Sequence, residues 1–169
     1  MKRMWSPWRS KYIETFKKPP RKKKGGQSLF TAALRAKDDD KHLIVWRGSH
    51  CFVIMNLYPY NSGHLMIVPY HQISKFADLS VVELTEIMQV AQRAMKALDK
   101  LMHPQGYNFG ANIGRASGAG VDDHIHFHIV PRWSGDTNFM PVLADIKLIS
   151  EDMKTLSKKL RKALKSGSV

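Results

Sequence analysis

The chain has 169 residues, 43% of them apolar, and a formal charge of +13. That apolar share suffices for one packed domain and is too high for a wholly disordered chain, and the single cysteine excludes a disulfide framework or a multi-cysteine zinc knuckle. The charge is unevenly placed, +9 over residues 1–26, zero over residues 27–150 and +4 over residues 151–169, which excludes reading the body as a basic nucleic-acid-binding domain on charge.

No apolar run approaches the ~20 residues needed to span a bilayer. The opening Met1-Lys2-Arg3-Met4-Trp5-Ser6-Pro7-Trp8 lacks the apolar core of a secretory signal. The expectation is a soluble cytoplasmic protein without membrane contact. Lys17 to Gly26 combines like charges, two prolines and two glycines, and reads as a mobile linker. Trp5, Trp8 and Tyr12 precede it, and their rings favour burial on the body or on a partner subunit. The expected organisation is therefore a basic segment and linker over 1–26, a domain over 27–150, and a basic helix or tail over 151–169.

Within the domain, Ser28–Lys37 suits a short helix and Asp38-Asp39-Asp40-Lys41 a turn. Leu43–Arg47 and His50–Asn56 are apolar runs joined at Gly48-Ser49, a hairpin signal. Pro59 ends the second run. Asn61-Ser62-Gly63 makes a further turn, and His64–Pro69 a third strand. The longest helix runs from Val81 to about Met102, where Ser80 and Glu83 form a capping box. Its apolar positions follow a helical stripe, and Pro104 and Gly106 stop it. Tyr107–Ile113 and His124–Pro131 read as strands on either side of a small-residue loop, Gly114–Gly120. Ser150 is placed to cap a last basic helix, Glu151–Lys165. The order β-β-β-α-β-β, with one long helix among the strands, indicates an α+β fold with a mostly antiparallel sheet.

The chemistry concentrates in His124-Ile125-His126-Phe127-His128-Ile129-Val130. On extended backbone alternate side chains share a face, so the imidazoles of His124, His126 and His128 point one way and Ile125, Phe127 and Ile129 the other. Three readings are open: satisfied polar packing, metal ligation, and nucleophilic or acid–base chemistry on a phosphoryl group. Packing must find a partner for every buried ring nitrogen. Ligation by paired histidines lacks an accompanying set of Cys, Asp or Glu. The glycine-rich run Asn112 to Gly120 favours the third, because glycines let backbone N–H groups approach an anion closely.

The His124–Val130 segment resembles the signature of the histidine triad (HIT) family of nucleotide hydrolases and transferases. Asn56 to Pro69 resembles the family's upstream element, and Asn112 to Gly120 its glycine loop. Val130-Pro131-Arg132-Trp133 with Gly135-Asp136-Thr137-Asn138-Phe139, and the opening Met4-Trp5-Ser6-Pro7-Trp8-Arg9, resemble the bacterial branch related to Fhit and to diadenosine tetraphosphate phosphorylases. The resemblance covers about Met4 to Ser150. It implies a five-stranded antiparallel half-barrel with one long helix and a C-terminal helix, dimerising into a continuous sheet. It also implies that His126 is the nucleophile, that His124 and His128 flank the phosphate as donors, and that His64 supports them. Asn56 would hold ribose hydroxyls, Ile54 would lie near the base, and Asn112, Ala119 and Gly120 would touch phosphates. Trp133 stands evenly between packing and a substrate or dimer role.

The implied activity is cleavage of nucleoside polyphosphates, diadenosine polyphosphates foremost, at the α-phosphate through a nucleotidyl-histidine. Phosphorolysis, phosphoramidate cleavage and a non-catalytic nucleotide- or RNA-binding adaptor are the alternatives. No cofactor is expected at the triad, and a divalent cation only as one carried by the polyphosphate. The basic tails read as solvated segments or as weak polyanion or RNA contacts. Two departures stand out. Many bacterial relatives carry a Cys-x-x-Cys zinc element where this chain has Ser28-Leu29-Phe30-Thr31, so core packing is expected to replace the metal even though His42 and His50 remain. Phosphorylase relatives place a serine just before the triad strand, where this chain has Ala119-Gly120-Val121 with Ser117 earlier, which puts hydrolysis ahead of phosphorolysis.

Overall fold

The computed structural model describes residues 26–136 and 152–166. Trp5, Trp8, Tyr12, the basic linker and Ser150 lie outside the described residues. The elements are α1 (Leu29–Arg35), β1 (Ile44–Arg47), β2 (Cys51–Met55), β3 (Leu65–Pro69), α2 (Val81–Met102), β4 (Gly106–Ala111), β5 (Phe127–Arg132) and α3 (Met153–Ser166). The strands form one five-stranded sheet in the order β1-β2-β3-β5-β4, with every neighbouring pair antiparallel.

Period-2 alternation divides the sheet into two faces. Cys51, Val53, Met55, Leu65, Ile67, Ile125, Phe127 and Ile129 point to one side and form the main core with Ile87, Val90, Ala94 and Leu98 of α2. Leu156, Leu160 and Leu164 of α3, spaced every four residues, join that core, so the C-terminal helix is part of the packed body. Lys154, Lys158, Lys162 and Lys165 are left exposed on the outer side of α3. Asp152 accepts from the Thr155 backbone N–H at 2.9 Å at the start of this helix. Arg161 donates to the Ile44 carbonyl at 2.8 Å, which fastens α3 to β1.

The opposite face carries a smaller cluster of Ile44, Phe52, Ile54, Met66 and Val68, covered by Phe30 of α1. The capping box at Ser80 is present: its side chain accepts from Glu83 N–H, and the Glu83 carboxylate receives the Ser80 N–H at 2.9 Å. Gly63 turns the chain into β3 with φ +76°, and a Cβ there would meet the Met102 sulfur at 2.7 Å. Only glycine combines that backbone with that approach.

The strand expected over His124–Pro131 is shorter than its sequence pattern. Paired strand begins at Phe127, because β4 ends at Ala111, its last partner. His124 to His126 continue in register without a neighbour strand on that side. The Ile125 N–H instead donates to the Ile73 carbonyl at 2.7 Å. The alternation survives the loss of the ladder, since Ile125 still enters the main core.

Candidate active site

The antiparallel register sets Met66 opposite His128, and His64 opens β3 on the same face. This gathers His64, His126 and His128 from segments far apart in sequence. Ring centroids are 5.1 Å apart for His64 and His128, and 4.8 Å for His126 and His128.

The hydrogen bonds fix where the protons sit. His64 Nδ1 faces two donors, the Tyr60 backbone N–H at 3.0 Å and Asn56 Nδ2 at 3.3 Å. It therefore carries a lone pair, and the proton of neutral His64 is on Nε2. That proton is donated to His128 Nδ1 at 2.9 Å. His128 must then hold its own proton on Nε2, which is buried without a hydrogen-bond partner among the described residues. A buried donor left open is costly, and a ligand oxygen is the kind of group that satisfies it. His126 is turned the other way. Its Nδ1–H donates to the His124 carbonyl at 2.9 Å, which leaves the lone pair on Nε2. The site thus holds one bare imidazole nitrogen beside one imidazole N–H.

Burial disfavours the charged form of His126 and His128. It pushes His128 down to about 4, helped by the neighbouring His126, and it lowers His126 against the opposing pull of its backbone hydrogen bond. His126 is only 4% exposed. A neutral imidazole of this kind is a nucleophile at and below neutral pH.

His124 takes a part other than the flanking donor the sequence suggests. It is fully buried; Nε2–H donates to the Pro69 carbonyl at 2.8 Å, and Nδ1 meets Ser28 Oγ at 2.6 Å. Both ring nitrogens are spent, so the ring has no donor for a phosphate. Its carbonyl is what reaches the site, by holding His126.

Asn56 is engaged in a turn: its Oδ1 accepts from Tyr58 N–H at 2.9 Å while Nδ2 reaches His64. Ile54 sits in the cluster beneath Phe30, on the histidine side of the sheet. Asn112 stands one residue past the last β4–β5 pair, on the register position that faces His126. Ala119 is buried and Gly120 exposed in the following loop, which turns at Gly114 and Gly118 with φ +76° and +90° and is braced by Arg115 and Asp122 at 3.5 Å. Hydrogen bonds tie Asn56, His64 and His128 into one chain; Asn112 follows β4 towards His126, and Ala119 and Gly120 lie in the loop that leads on to His124. Trp133 packs at the far end of β5 and donates from Nε1 to the His103 carbonyl at 3.2 Å. Asp136 clamps that end: it receives Arg132 at 2.6 and 2.8 Å, and Asn61 Nδ2 at 2.7 Å, so the turn before His64 is tied to β5.

The Ser28–Thr31 segment is held by more than core packing. Ser28 and Thr31 both hydrogen-bond to Gln72 or His124, while His50 lies exposed elsewhere and His42 follows the Asp38–Asp40 turn. Two neutral hydroxyls, an amide and one imidazole supply no anionic ligand, so this set does not suit zinc. Ser28, Thr31, Gln72 and the Pro69 carbonyl are the contributors that sequence reading did not assign to the site. Ser28 proves to be the N-cap of α1, and backbone carbonyls leave no trace in a sequence.

A sheet with a row of buried, neutral histidines oriented by backbone groups defines a histidine-centred group-transfer fold. The HIT domain family model matches residues 37–135, and the chain belongs to this family. It is 36% identical over 153 residues to a protein of Mycobacterium tuberculosis (strain ATCC 25618 / H37Rv) named AP-4-A phosphorylase, covering 89% of this chain and 78% of that one. It is 31% identical over 81 residues to a bis(5'-adenosyl)-triphosphatase of Dictyostelium discoideum, covering 48% of this chain and 54% of the relative. Its fold matches that of a zinc-bound histidine triad family protein from Mycobacterium smegmatis with a TM-score of 0.67 at 24% identity, over 83% of this chain and 96% of that one.

Proposed function

We propose that the protein cleaves nucleoside polyphosphates, diadenosine polyphosphates foremost, by transferring a nucleotidyl group to His126. The observation that carries this reading is the pairing of a bare His126 Nε2 with an open His128 Nε2–H. In the first step His126 Nε2 forms a bond to the α-phosphorus, and the bridging P–O bond breaks. Its electron pair leaves with the departing nucleoside polyphosphate. The positive charge that develops on the His126 ring is opposed by the His124 carbonyl on Nδ1–H. In the second step water attacks the same phosphorus and loses a proton to solvent; the P–Nε2 bond breaks, its electron pair returns to His126, and the mononucleotide leaves with His126 neutral again. Two displacements replace one difficult step.

His128, with its pKa near 4, is a neutral donor at physiological pH. It stabilises charge on the departing bridging oxygen rather than surrendering a proton. That suits leaving groups that depart as stable anions, as polyphosphates do. Asn56 is the candidate for ribose contact, Ile54 for the base, and Asn112 with the backbone at Ala119 and Gly120 for the phosphates. A divalent cation enters only with the polyphosphate. Phosphate as the second acceptor is the other reading, favoured by the relative named AP-4-A phosphorylase.

The β4 strand is an edge of the sheet, and Phe109 and Ile113 at its end are exposed apolar residues. We take this edge as the surface on which a second copy would continue the sheet. The domain over 27–150 would then pack with α3, and the outer lysines of α3 together with the basic N-terminal segment would offer a weak, salt-sensitive polyanion contact. No helix among the described residues is long and apolar enough to cross a membrane, and a cytoplasmic location accords with that.

Incubation with diadenosine tetraphosphate, with and without inorganic phosphate, tests the reading. Hydrolysis yields AMP and ATP; phosphorolysis yields ADP and ATP and requires phosphate. His126→Ala is expected to lower turnover by about 10⁴-fold or more. Undiminished turnover in that variant would remove the nucleophile and the proposal with it.

A further inference from the structure

The His124 carbonyl orients His126, and the His124 ring is itself held in place. Its imidazole closes a knot of polar groups from three separate segments. Ser28 Oγ lies 2.6 Å from His124 Nδ1 and accepts the Thr31 N–H at 3.1 Å. Gln72 Oε1 receives the Ser28 N–H and the Thr31 hydroxyl, both at 3.0 Å, and Gln72 Nε2 donates to the Gly26 carbonyl at 3.0 Å. Ser28 and His124 are both fully buried.

Ser28 Oγ also lies 3.1 Å from Thr31 Oγ1, but His124 Nδ1, at 2.6 Å, is the nearer acceptor and has no other donor among the described residues. The Pro69 carbonyl accepts, so neutral His124 has its proton on Nε2 and a lone pair on Nδ1. The Thr31 hydroxyl is committed to Gln72. The Ser28 hydroxyl must then donate to His124 Nδ1. Phe30, two residues on, rests its ring 5.6 Å from His124 and 5.0 Å from His126, so α1 touches both rings from the same side. The chain of contacts runs from the Ser28 O–H to the His124 ring, and from the His124 carbonyl to His126 Nδ1–H at 2.9 Å.

We propose that Ser28 is a positioning residue for nucleotidyl transfer, fixing the His124 ring through its hydroxyl and, through the His124 carbonyl, the orientation of the His126 nucleophile. This rests on the reading of His126 given above. Ser28 itself touches no reacting atom. Its loss leaves His124 Nδ1 buried without a donor, which frees the ring to change tautomer and the following backbone to shift. A shift of about 1 Å at a reacting nitrogen costs of order 100-fold in rate.

The test compares Ser28→Ala with Ser80→Ala, the same chemical change at the N-cap of the other helix, α2, away from the histidines. Two readouts are taken on folded protein: kcat and KM on diadenosine tetraphosphate, and side-chain ¹⁵N shifts, which separate protonated from bare ring nitrogens without substrate. In the wild type His124 should show a proton on Nε2 alone and His126 on Nδ1 alone. Ser28→Ala should lower kcat by about 10- to 100-fold with KM within about twofold, and mix the His124 tautomers. Ser28→Thr, which retains the hydroxyl, should restore both, and Ser28→Cys, a weaker donor of similar size, should fall between. Wild-type kcat and unmixed rings in Ser28→Ala overturn the proposal, as does an equal loss of kcat in Ser80→Ala. A wild-type protein that leaves the dinucleotide intact overturns the proposed function instead, and the nitrogen shifts still decide the case of Ser28.

Discussion

The two faces of the sheet solve burial in opposite ways. On the helix side, Ile125, Phe127 and Ile129 join a dry core with residues of α2 and α3 whose contacts are non-directional. On the other side, the residues between them, His124, His126 and His128, are also largely removed from water, but each ring nitrogen has to be accounted for singly. His124 is satisfied on both nitrogens, His126 is held on one, and His128 keeps one buried donor open. A buried face made of imidazoles is thus a graded series, from fully hydrogen-bonded to partly open, within five residues. Apolar substitution on one face should change stability and leave chemistry alone, whereas substitution of a histidine on the other should act first on chemistry.

The sharpest way to break that division, beyond removing the nucleophile, is His128→Ala. It deletes the open donor and strands the His64 Nε2–H that His128 Nδ1 accepts. We expect kcat on diadenosine tetraphosphate to fall by about 10²-fold or more, the usual worth of a positioned donor, while the His126 ring keeps its Nδ1–H pattern. The loss should be greater for a substrate whose leaving group is a weaker anion. A variant that retained full kcat would show that the leaving oxygen is stabilised from elsewhere.

Much of this arrangement was legible because period 2 is a strict geometric constraint. The alternation His124 to Ile129 fixed which side each ring takes, even though the ladder itself starts only at Phe127. Ser80 and Glu83 announced α2 through a cap whose two bonds are both formed. What stayed hidden depends on groups a sequence does not encode as types. The Tyr60 N–H that settles the His64 tautomer, and the Pro69 and His124 carbonyls that orient two rings, belong to the backbone. The expected donor role of His124 failed for the same reason: its ring was already claimed by Ser28, 96 positions earlier in the chain.

On the helix face, Leu160→Ala sharpens the comparison from the other side. Leu160 is fully buried on the inner side of α3, the helix that packs against α2 and β1. Truncation should cost about 2–5 kcal/mol, read as a drop in the midpoint of denaturant unfolding at unchanged slope. At a temperature where the variant is still folded, kcat should match the wild type. A parallel loss of kcat would mean that the core and the histidine row are mechanically coupled, and that the two faces are not separable as argued.

The mildest probe is acid, and its sign follows from the same burial. A histidine whose folded pKa lies below the unfolded value near 6.5 takes up its proton more readily in the unfolded chain. Stability therefore rises with pH through that window and is lost as pH falls. Burial lowers His124, His126 and His128, the last to about 4. Between pH 6.5 and 4 the shift at His128 alone corresponds to at most ~3 kcal/mol, and partial exposure of the ring reduces it. Unfolding free energy measured over this range should decline steadily, and His128→Ala should flatten the decline even as it abolishes the donor. A flat profile in the wild type would place the histidine row in contact with water and dissolve the contrast between a row of neutral, oriented rings and the dry core behind it.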